Sequence, residues 1–262
     1  MKIIGLTLNG LNLISSDYYF SLQGLFDFEK NIITNELFID GQSYNHSKIN
    51  GKKLVLNGYI KTWDPAKIAA LNQILYGVGI KQLVVNIASL GILIANVEVI
   101  NRITSGDSRK VSVQLSMPDP YLYAQTSQAL SLGALANASL TFPFAFPITF
   151  GSLTGGSGII TNLGNAVAYP VINIVGTCNT LTVTNTTTGE SMSCAVSLGA
   201  SDVLIIDSNP ATRGIYLNGV SRMDLKNGAW PSCIPGDNAF TFSRNSIEVK
   251  QHCSISLQSR WV

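Results

Sequence analysis

Polar and apolar residues alternate in short runs along most of this chain, which is the pattern of β-strands with one face in a core. Four such runs occupy the first 60 residues, and Asn-Gly or Asp-Gly pairs, which favour hairpin turns, lie between or beside them. The pattern predicts antiparallel strands at Ile3–Leu8, Tyr18–Leu22, Asn31–Ile39 and Lys53–Ile60.

One segment has helical spacing instead. Asp64 can accept a hydrogen bond from the first helical turn, and Pro65 at the first helical position has no N–H to leave unpaired. Because glycines follow at 77 and 79, we predict one α-helix over residues 64–76. Its apolar residues lie three or four positions apart and should face the sheet of the same subunit: Ile68, Leu71 and Leu75.

Further strands follow the helix and complete a first domain. Residues 82–87 and 91–101 are rich in β-branched side chains, and residues 111–115 alternate with period two. The prolines at 118 and 120 have no backbone N–H to donate to a neighbouring strand, so the sheet is expected to end there. We therefore predict that residues 1–123 form a β-sandwich-like domain with one α-helix and a long β-hairpin.

The next 42 residues, 124–165, are low in complexity and predict an extended linker or arm. Phe alternates with Pro and Thr in Thr141–Phe150, which suits an extended strand that packs its aromatic rings on a sheet edge. Gly155–Gly158 lacks the lysine of a phosphate-binding loop, so a flexible hinge is the favoured interpretation.

Short strands then recur at intervals of roughly ten residues, with turn-forming pairs such as Asn-Gly between them. This spacing is typical of a β-sandwich. Residues 166–262 are therefore predicted to be a second domain, with strands at 171–175, 181–185, 191–196, 203–206, 215–217, 239–242 and 246–256.

Charged residues are scarce and unevenly placed. Only 12% of the 262 residues are Asp, Glu, Lys or Arg, about half the usual share, and residues 120–189 contain none. Since charge normally keeps soluble surfaces apart, such a stretch indicates either core strands with polar loops or a face covered by other subunits. A net charge of +2 argues against nucleic-acid binding, and polar residues interrupt the apolar stretch at 80–100, which argues against membrane insertion.

No motif for catalysis, a cofactor or a metal stands out, and neither of the two histidines lies in a ligand or nucleophile pattern. We therefore expect no enzyme activity, no cofactor and no metal. A carboxylate pair for glycoside hydrolysis stays an alternative, although Asp is common at turns. Its candidates lie near predicted strand ends: Asp202, Asp207, Asp224 and Asp237.

A carbohydrate-binding module is a second alternative, because large aromatic rings can stack on sugars as well as fill a core. The candidate stacking residues are Tyr216, Trp230 and Trp261.

Four cysteines lie in the second half of the chain, with no CxxC pair. Because the number of cysteines is even, two disulfide bonds are possible. The N-terminus, however, lacks the apolar region and cleavage site of a signal peptide, which predicts synthesis in a reducing cytoplasm. Buried free thiols are therefore the favoured interpretation for Cys178, Cys194, Cys233 and Cys253.

Several motifs, taken in their order and spacing, resemble the siphovirus-type distal tail protein family. The specific ones lie in the C-terminal half: TFPFAFPITFG at 141–151, NLGNAVAYPVINIVG at 162–176, NTTTGE at 185–190, DVLIID at 202–207, WPSCIPGDNAFTFS at 230–243 and SRWV at 259–262. The N-terminal part is similar in the order and length of its elements and ends on DPYLY at 119–123.

This resemblance implies a structural protein of a bacteriophage tail tip or baseplate. Such proteins form a hexameric ring through their N-terminal domains, where the helix and a β-hairpin join neighbours. The ring joins the tail tube to the tail-tip hub protein, and DNA can pass through it. The C-terminal domain is a galectin-like or carbohydrate-module-like β-sandwich that projects outward and often holds receptor-binding proteins. The implied location is the distal end of the virion tail, after assembly in the host cytoplasm.

The resemblance also implies where neighbouring subunits would meet. The helix and the strand pair within residues 82–110 become the candidate ring contact. Residues beside the apolar helix stripe and on the following strand are the candidate interface residues: Lys67, Asn72, Tyr76, Gln82 and Val84.

Overall fold

The computed structural model describes residues 2–36, 42–104, 109–132, 155–244 and 252–262. It divides into two compact units, of which the first contains residues 1–125 with 261–262 and the second contains residues 126–260. Both consist mainly of β-strands, and the described residues contain one α-helix. The predicted fold class, mostly β with a single helix, is confirmed.

The first unit contains most of the predicted strands at nearly the predicted positions. A strand at 42–49, which the sequence pattern did not predict, joins them. The predicted turns at 40–41 and 105–107 lie outside the described residues. The elements are β1 (Ile3–Leu8), β2 (Leu11–Asn12), β3 (Tyr18–Gln23), β4 (Lys30–Glu36), β5 (Gln42–Ile49), β6 (Lys52–Ile60), α1 (Pro65–Tyr76), β7 (Lys81–Ile87), β8 (Gly91–Thr104), β9 (Lys110–Met117) and β10 (Leu122–Ala124).

A long antiparallel sheet in the order β2-β1-β7-β8-β9-β6-β3 forms the body of this unit. Strand β8 is shared by the two halves of the sheet, because its first seven residues pair with β7 and six of its last seven pair with β9. Residues from both ends of the sheet, such as Val85 on β7 and Leu56 on β6, lie in one buried cluster. The sheet therefore folds over its own core, and burial of each large aliphatic side chain there contributes about 1.5–3 kcal/mol.

Helix α1 begins and ends where the sequence predicts. Asp64 has extended backbone angles, and its carboxylate accepts a hydrogen bond of 2.9 Å from the Ala66 N–H. Leu71 and Leu75 are buried in the first core, and Ile68 packs against it. The predicted apolar face is therefore confirmed.

Strands β4 and β5 form a separate two-stranded ribbon. No third strand pairs with it among the described residues, although isolated two-stranded ribbons are only marginally stable in water. Ile32 on β4 and Phe28 just before it are both more than half exposed. The ribbon thus leaves apolar side chains and unpaired strand edges on the surface of the first unit.

The second unit is a sandwich of two antiparallel sheets, in the orders β11-β21-β13-β16-β17-β18 and β12-β20-β14-β15-β19. Ile172 of one sheet and Val183 of the other lie in the same buried cluster. A 3₁₀ turn lies at Met223–Leu225. The strands of the two sheets are β11 (Gln128–Leu132), β12 (Gly155–Asn162), β13 (Val171–Val175), β14 (Leu181–Asn185), β15 (Glu190–Cys194), β16 (Val203–Asp207), β17 (Gly214–Leu217), β18 (Val220–Ser221), β19 (Asn227–Gly228), β20 (Gly236–Arg244) and β21 (His252–Leu257). The last strand, β22 (Arg260–Trp261), begins on the last residue of the second unit and ends on the first unit's Trp261.

The predicted arm at 124–165 differs from the structure where the structure describes it. Strands β11 and β12 are parts of the second unit, and the run Gly155–Gly158 is paired strand rather than a hinge. A Cβ on Gly158 would lie 2.6 Å from Leu130 Cδ1, so the Leu130 side chain packs directly on this strand and would have to move to admit a larger residue. The Phe- and Pro-rich motif at 141–150 lies outside the described residues.

Candidate functional site

Three apolar side chains are exposed to solvent at the end of helix α1 and in the loop that follows it. Tyr76 and Ile80 are 71% and 66% exposed, and Val78 between them is fully exposed. Clustered apolar side chains on a protein surface are typical of an interaction site. The loop borders a cleft of about 400 Å³, here called the helix-end cleft, which is lined by residues 75–79 and 98–102.

A buried lysine holds this loop in place. The Lys81 Nζ donates hydrogen bonds of 2.5 and 3.0 Å to the carbonyl oxygens of Gly77 and Gly79, and its side chain is almost fully buried. Gly79 has a φ of 94°, which favours glycine. A positive charge at the C-terminal end of a helix also opposes the helix dipole favourably. Val78 is therefore presented on a constrained loop.

The opposite wall of the cleft is a strand edge. Strand β7 pairs with β8 only as far as Val97, and β9 takes up the other side of β8 from Glu98 onward. On the β7 side, residues 98–104 of β8 pair with no strand in the described part of the chain. The register also shifts at Ile100, which is half exposed. Unpaired edges of this kind can accept a strand from another chain.

Two of the predicted interface residues, Asn72 and Tyr76, contact the same cleft residue, Arg102. Arg102 on β8 donates a hydrogen bond from Nη1 to the Asn72 Oδ1 on α1. The same guanidinium lies 5.8 Å from the centre of the Tyr76 ring, within the range of a cation–π contact. Asn72 and Tyr76 are thus linked through Arg102, a residue that the sequence pattern did not single out.

Lys67 is engaged inside its own subunit. Its Nζ lies 2.5 Å from the Asp17 Oδ1, and the hydrogen bond to Asp17 raises the pKa of Lys67. The Tyr18 hydroxyl also donates a 2.7 Å hydrogen bond to the Lys67 carbonyl. A change of charge at Lys67 would therefore disturb an internal ion pair as well as any neighbour.

The remaining interface candidates, Gln82 and Val84, lie two residues apart on the same face of β7. Gln82 is exposed and Val84 is half-buried. A contact with another subunit at these two residues stays a prediction.

A second cleft, of about 390 Å³, lies on the outer face of the β3-β6-β9 part of the sheet. Tyr19 and Tyr59 form one wall, with ring centres 5.6 Å apart, and Ile103 and Lys110 are also part of the lining. Sequence reasoning missed this cleft, because only strand pairing brings these residues together. Exposed tyrosines on a strand were the available signal.

The three candidate sugar-stacking residues do not form a common platform. Trp261 is only 7% exposed and belongs to the core of the first unit, which removes it from the stacking candidates. The Trp230 ring packs against the second core and has the cations of Arg213 and Lys226 within 6 Å of its centre. Tyr216 is half-buried, beside Gly214.

The four candidate carboxylates are each held by hydrogen bonds within their own unit. Asp207 accepts from the Asn209 N–H and the Thr212 hydroxyl, and Asp237 accepts from the Thr161 hydroxyl on the paired strand β12. Hydrogen bonds from Asn218 and Gly199 lower the pKa of Asp202, and those from Arg222 lower the pKa of Asp224. Local and cross-strand hydrogen bonds account for all four.

All four cysteines are buried and form no disulfide bond, as the sequence favoured. Burial raises the pKa of Cys194 to about 11 and those of Cys233 and Cys253 to about 12. Such thiols stay protonated and unreactive at neutral pH. Among the described residues, no group of three or more His, Cys, Asp or Glu side chains is placed to hold a metal ion.

The described part of the chain also contains no helix long and apolar enough to span a membrane.

Residues 163–261 match the family described as siphovirus-type tail component, C-terminal domain. Among solved structures, the chain is similar to the SPP1 Dit protein, described as a paradigm of hub adsorption apparatus in Gram-positive infecting phages. The two are 12% identical over 98% of this chain and 99% of that chain, with a TM-score of 0.68. A chain of the phage P2 baseplate in its activated conformation with Ca is 7% identical over 99% and 98% of the two chains, with a TM-score of 0.48. A comparison with curated proteins found no match.

Proposed function

Because residues 163–261 belong to the siphovirus-type tail component family, as their motifs predicted, we propose that this protein is a structural adaptor of a bacteriophage tail tip or baseplate. Six copies form a ring through their first units. The ring joins the tail tube to the tail-tip hub, and receptor-binding proteins attach to it. The protein acts by assembly and not by catalysis.

The observation that carries the proposal is the helix-end cleft. It combines a constrained loop with a fully exposed Val78 and a strand edge that stays unpaired over residues 98–104 in the described structure. An apolar loop beside an open edge is costly on a free monomer and becomes favourable when another chain covers it. A head-to-tail contact of this kind closes into a ring when it repeats around an axis.

The β4–β5 ribbon is the candidate surface by which a neighbouring copy makes this contact. Its strands are paired only with each other among the described residues, and Ile32 on β4 is exposed. A two-stranded ribbon of this kind gains stability when it packs on a further sheet. We propose that the ribbon of one copy packs against the first unit of the next.

The scarcity of charge supports the same proposal. No charged residue occurs between 120 and 189, and the acidic groups of the second unit that we located are engaged in local hydrogen bonds. Faces with few charges pack against neighbours at a low desolvation cost.

Light scattering combined with size-exclusion chromatography tests the ring. We expect a species of about 169 kDa, six times the 28.1 kDa chain, and ring-shaped particles with an open centre in negative-stain images. A 28.1 kDa monomer at every concentration, with no ring formed on addition of purified tail tubes, would contradict the proposal.

A further inference from the structure

The second unit holds two cations beside one aromatic ring. The Arg213 Cζ lies 5.4 Å and the Lys226 Nζ 5.8 Å from the centre of the Trp230 ring, and these three residues are here called the Trp230 cluster. Both cationic side chains are exposed, while the ring packs against the second core. The Trp230 ring is therefore fixed by the core, and two cationic side chains lie beside it on the surface.

Neither cation has a carboxylate partner in the described part of the chain. The neighbouring Arg222 does have one, because it forms a bidentate pair with Asp224 at 2.7 to 3.2 Å. The other acidic side chains of the unit that the structure describes each accept hydrogen bonds elsewhere, namely Glu190, Asp202, Asp207 and Asp237. In a chain with so few charges, the Trp230 cluster is thus a local excess of positive charge.

Both cations are also held in position. The Arg213 Nε and Nη2 donate long hydrogen bonds of 3.4 and 3.5 Å to the Ser208 carbonyl, which leaves three of the five guanidinium N–H groups for a ligand. The Lys226 Nζ donates a 2.7 Å hydrogen bond to the Gly228 carbonyl and keeps two further donors. Pre-positioned donors lose less conformational entropy when they bind an anion.

We infer that the Trp230 cluster is a binding site for the phosphate groups of an anionic polymer. Each phosphate group along such a polymer carries negative charge and acceptor oxygens, so successive phosphates can accept from the planar Arg213 fork and from Lys226. A neutral sugar would leave both cations without a counter-charge. The inference goes beyond the proposed adaptor function and does not depend on ring formation, since all three residues lie in the second unit.

Binding of fluorescently labelled inorganic polyphosphate to the full-length protein, followed by anisotropy, tests this site. We expect saturable binding at about 20 mM salt that weakens strongly at about 300 mM salt, because the contact is ionic. The double variant Arg213→Gln with Lys226→Gln should bind at least about tenfold more weakly, since it loses the charge-assisted hydrogen bonds.

The matched control is Lys2→Gln with Lys53→Gln, which removes the same charge from exposed lysines of the first unit. We expect this control to bind within about twofold of the unchanged protein. An equal loss in both double variants would show non-specific attraction and overturn the site, as would failure of the unchanged protein to bind at low salt. Light scattering on the same samples reports the ring separately, so failure of one proposal is distinguishable from failure of the other.

Competition with unlabelled polymers tests the chemical class of the ligand. Polyphosphate should displace the probe at concentrations at least about tenfold lower than polygalacturonate, a carboxylate polymer, and neutral dextran should not displace it. Equal displacement by polygalacturonate, or any displacement by dextran, would overturn the assignment to phosphate.

Discussion

Gly58 on β6 has no room for a side chain. It pairs with Phe20 on β3, and the Phe20 ring occupies the space where a Cβ would lie, within 2.5 Å. The same Cβ would come within 2.2 Å of the Tyr19 carbonyl oxygen. The aromatic ring thus covers the glycine and replaces the packing that a side chain would supply.

We therefore expect Gly58→Ala to destabilise the first unit by about 2–3 kcal/mol, because the strands must separate to admit the methyl group. Urea unfolding measures this change in the free energy of unfolding. Gly199→Ala is the control, since its Cβ meets nothing closer than the Asp202 carboxylate at 3.3 Å and should cost less than about 1 kcal/mol. Equal effects of the two substitutions would contradict the packing argument.

The buried thiols make stability depend on alkaline pH. Burial raises the pKa of Cys194 to about 11 and those of Cys233 and Cys253 to about 12, from an ordinary value near 9. The folded protein therefore keeps these protons between about pH 9 and pH 12, whereas the unfolded chain releases them. Since the unfolded chain binds fewer protons in this range, stability falls as pH rises through it.

Urea unfolding of the second unit at pH 7.5 and about pH 10 tests this sign. We expect a lower midpoint at the higher pH, and a smaller decrease in the variant Cys233→Ala with Cys253→Ala. The same decrease in that variant would assign the pH dependence to other groups.

At the scale of elements, the loop after α1 depends on what precedes and follows it. The Gly77 N–H still donates to the Gln73 carbonyl at the end of the helix, and Lys81 at the start of β7 donates to the carbonyls of Gly77 and Gly79. Helix, loop and strand thus form one constrained corner around Val78. Its side chain makes no contribution to the core of its own subunit, because it is fully exposed.

We expect Val78→Asp to abolish or strongly weaken ring formation without lowering the midpoint of urea unfolding of the separated subunit. A buried carboxylate at a subunit contact has no partner, whereas on a free surface it is solvated. Val220→Asp is the matched control, since Val220 is 64% exposed in the second unit, and it should leave the ring intact. A ring of normal mass from Val78→Asp would exclude this loop from the contact.

At the scale of the whole molecule, the two units do not follow one another simply along the chain. The second unit ends at Arg260, and the last two residues belong to the first unit, where Trp261 is buried. The predicted second domain, 166–262, therefore differs at both ends, because β11 and β12 also belong to the second unit. Trp261 thus completes the first core, although it lies more than 130 residues further along the chain than the other members of that core.

Removal of residues 261–262 should therefore destabilise the first unit by about 3–5 kcal/mol, as expected for loss of a buried tryptophan. Removal of Val262 alone is the control and should cost less than about 1 kcal/mol, because that residue is partly exposed. Separate unfolding transitions, followed by hydrogen exchange of each unit, locate the effect. A loss confined to the second unit would contradict the assignment of Trp261.

Local patterns decided much of this fold. The helix with its Asp64 cap, the strands at Ile3–Leu8 and Val171–Val175, and the buried thiols all follow from periodicity, capping and composition. Each depends on residues that are close in sequence, so a reading of the chain can recognise them. The C-terminal motifs likewise predicted the family that residues 163–261 match.

Contacts between distant residues were decided only by the tertiary structure. Gly155–Gly158 has the composition of a hinge, but Leu130 packs on it in the folded chain, and Trp261, a candidate for sugar stacking, lies in the core of the first unit. Arg102 at the helix-end cleft and the Trp230 cluster are formed by residues from separate elements. Sequence determines which residues can form strands and caps, whereas chain folding determines which of them meet, because burial and electrostatic contacts depend on distance in space.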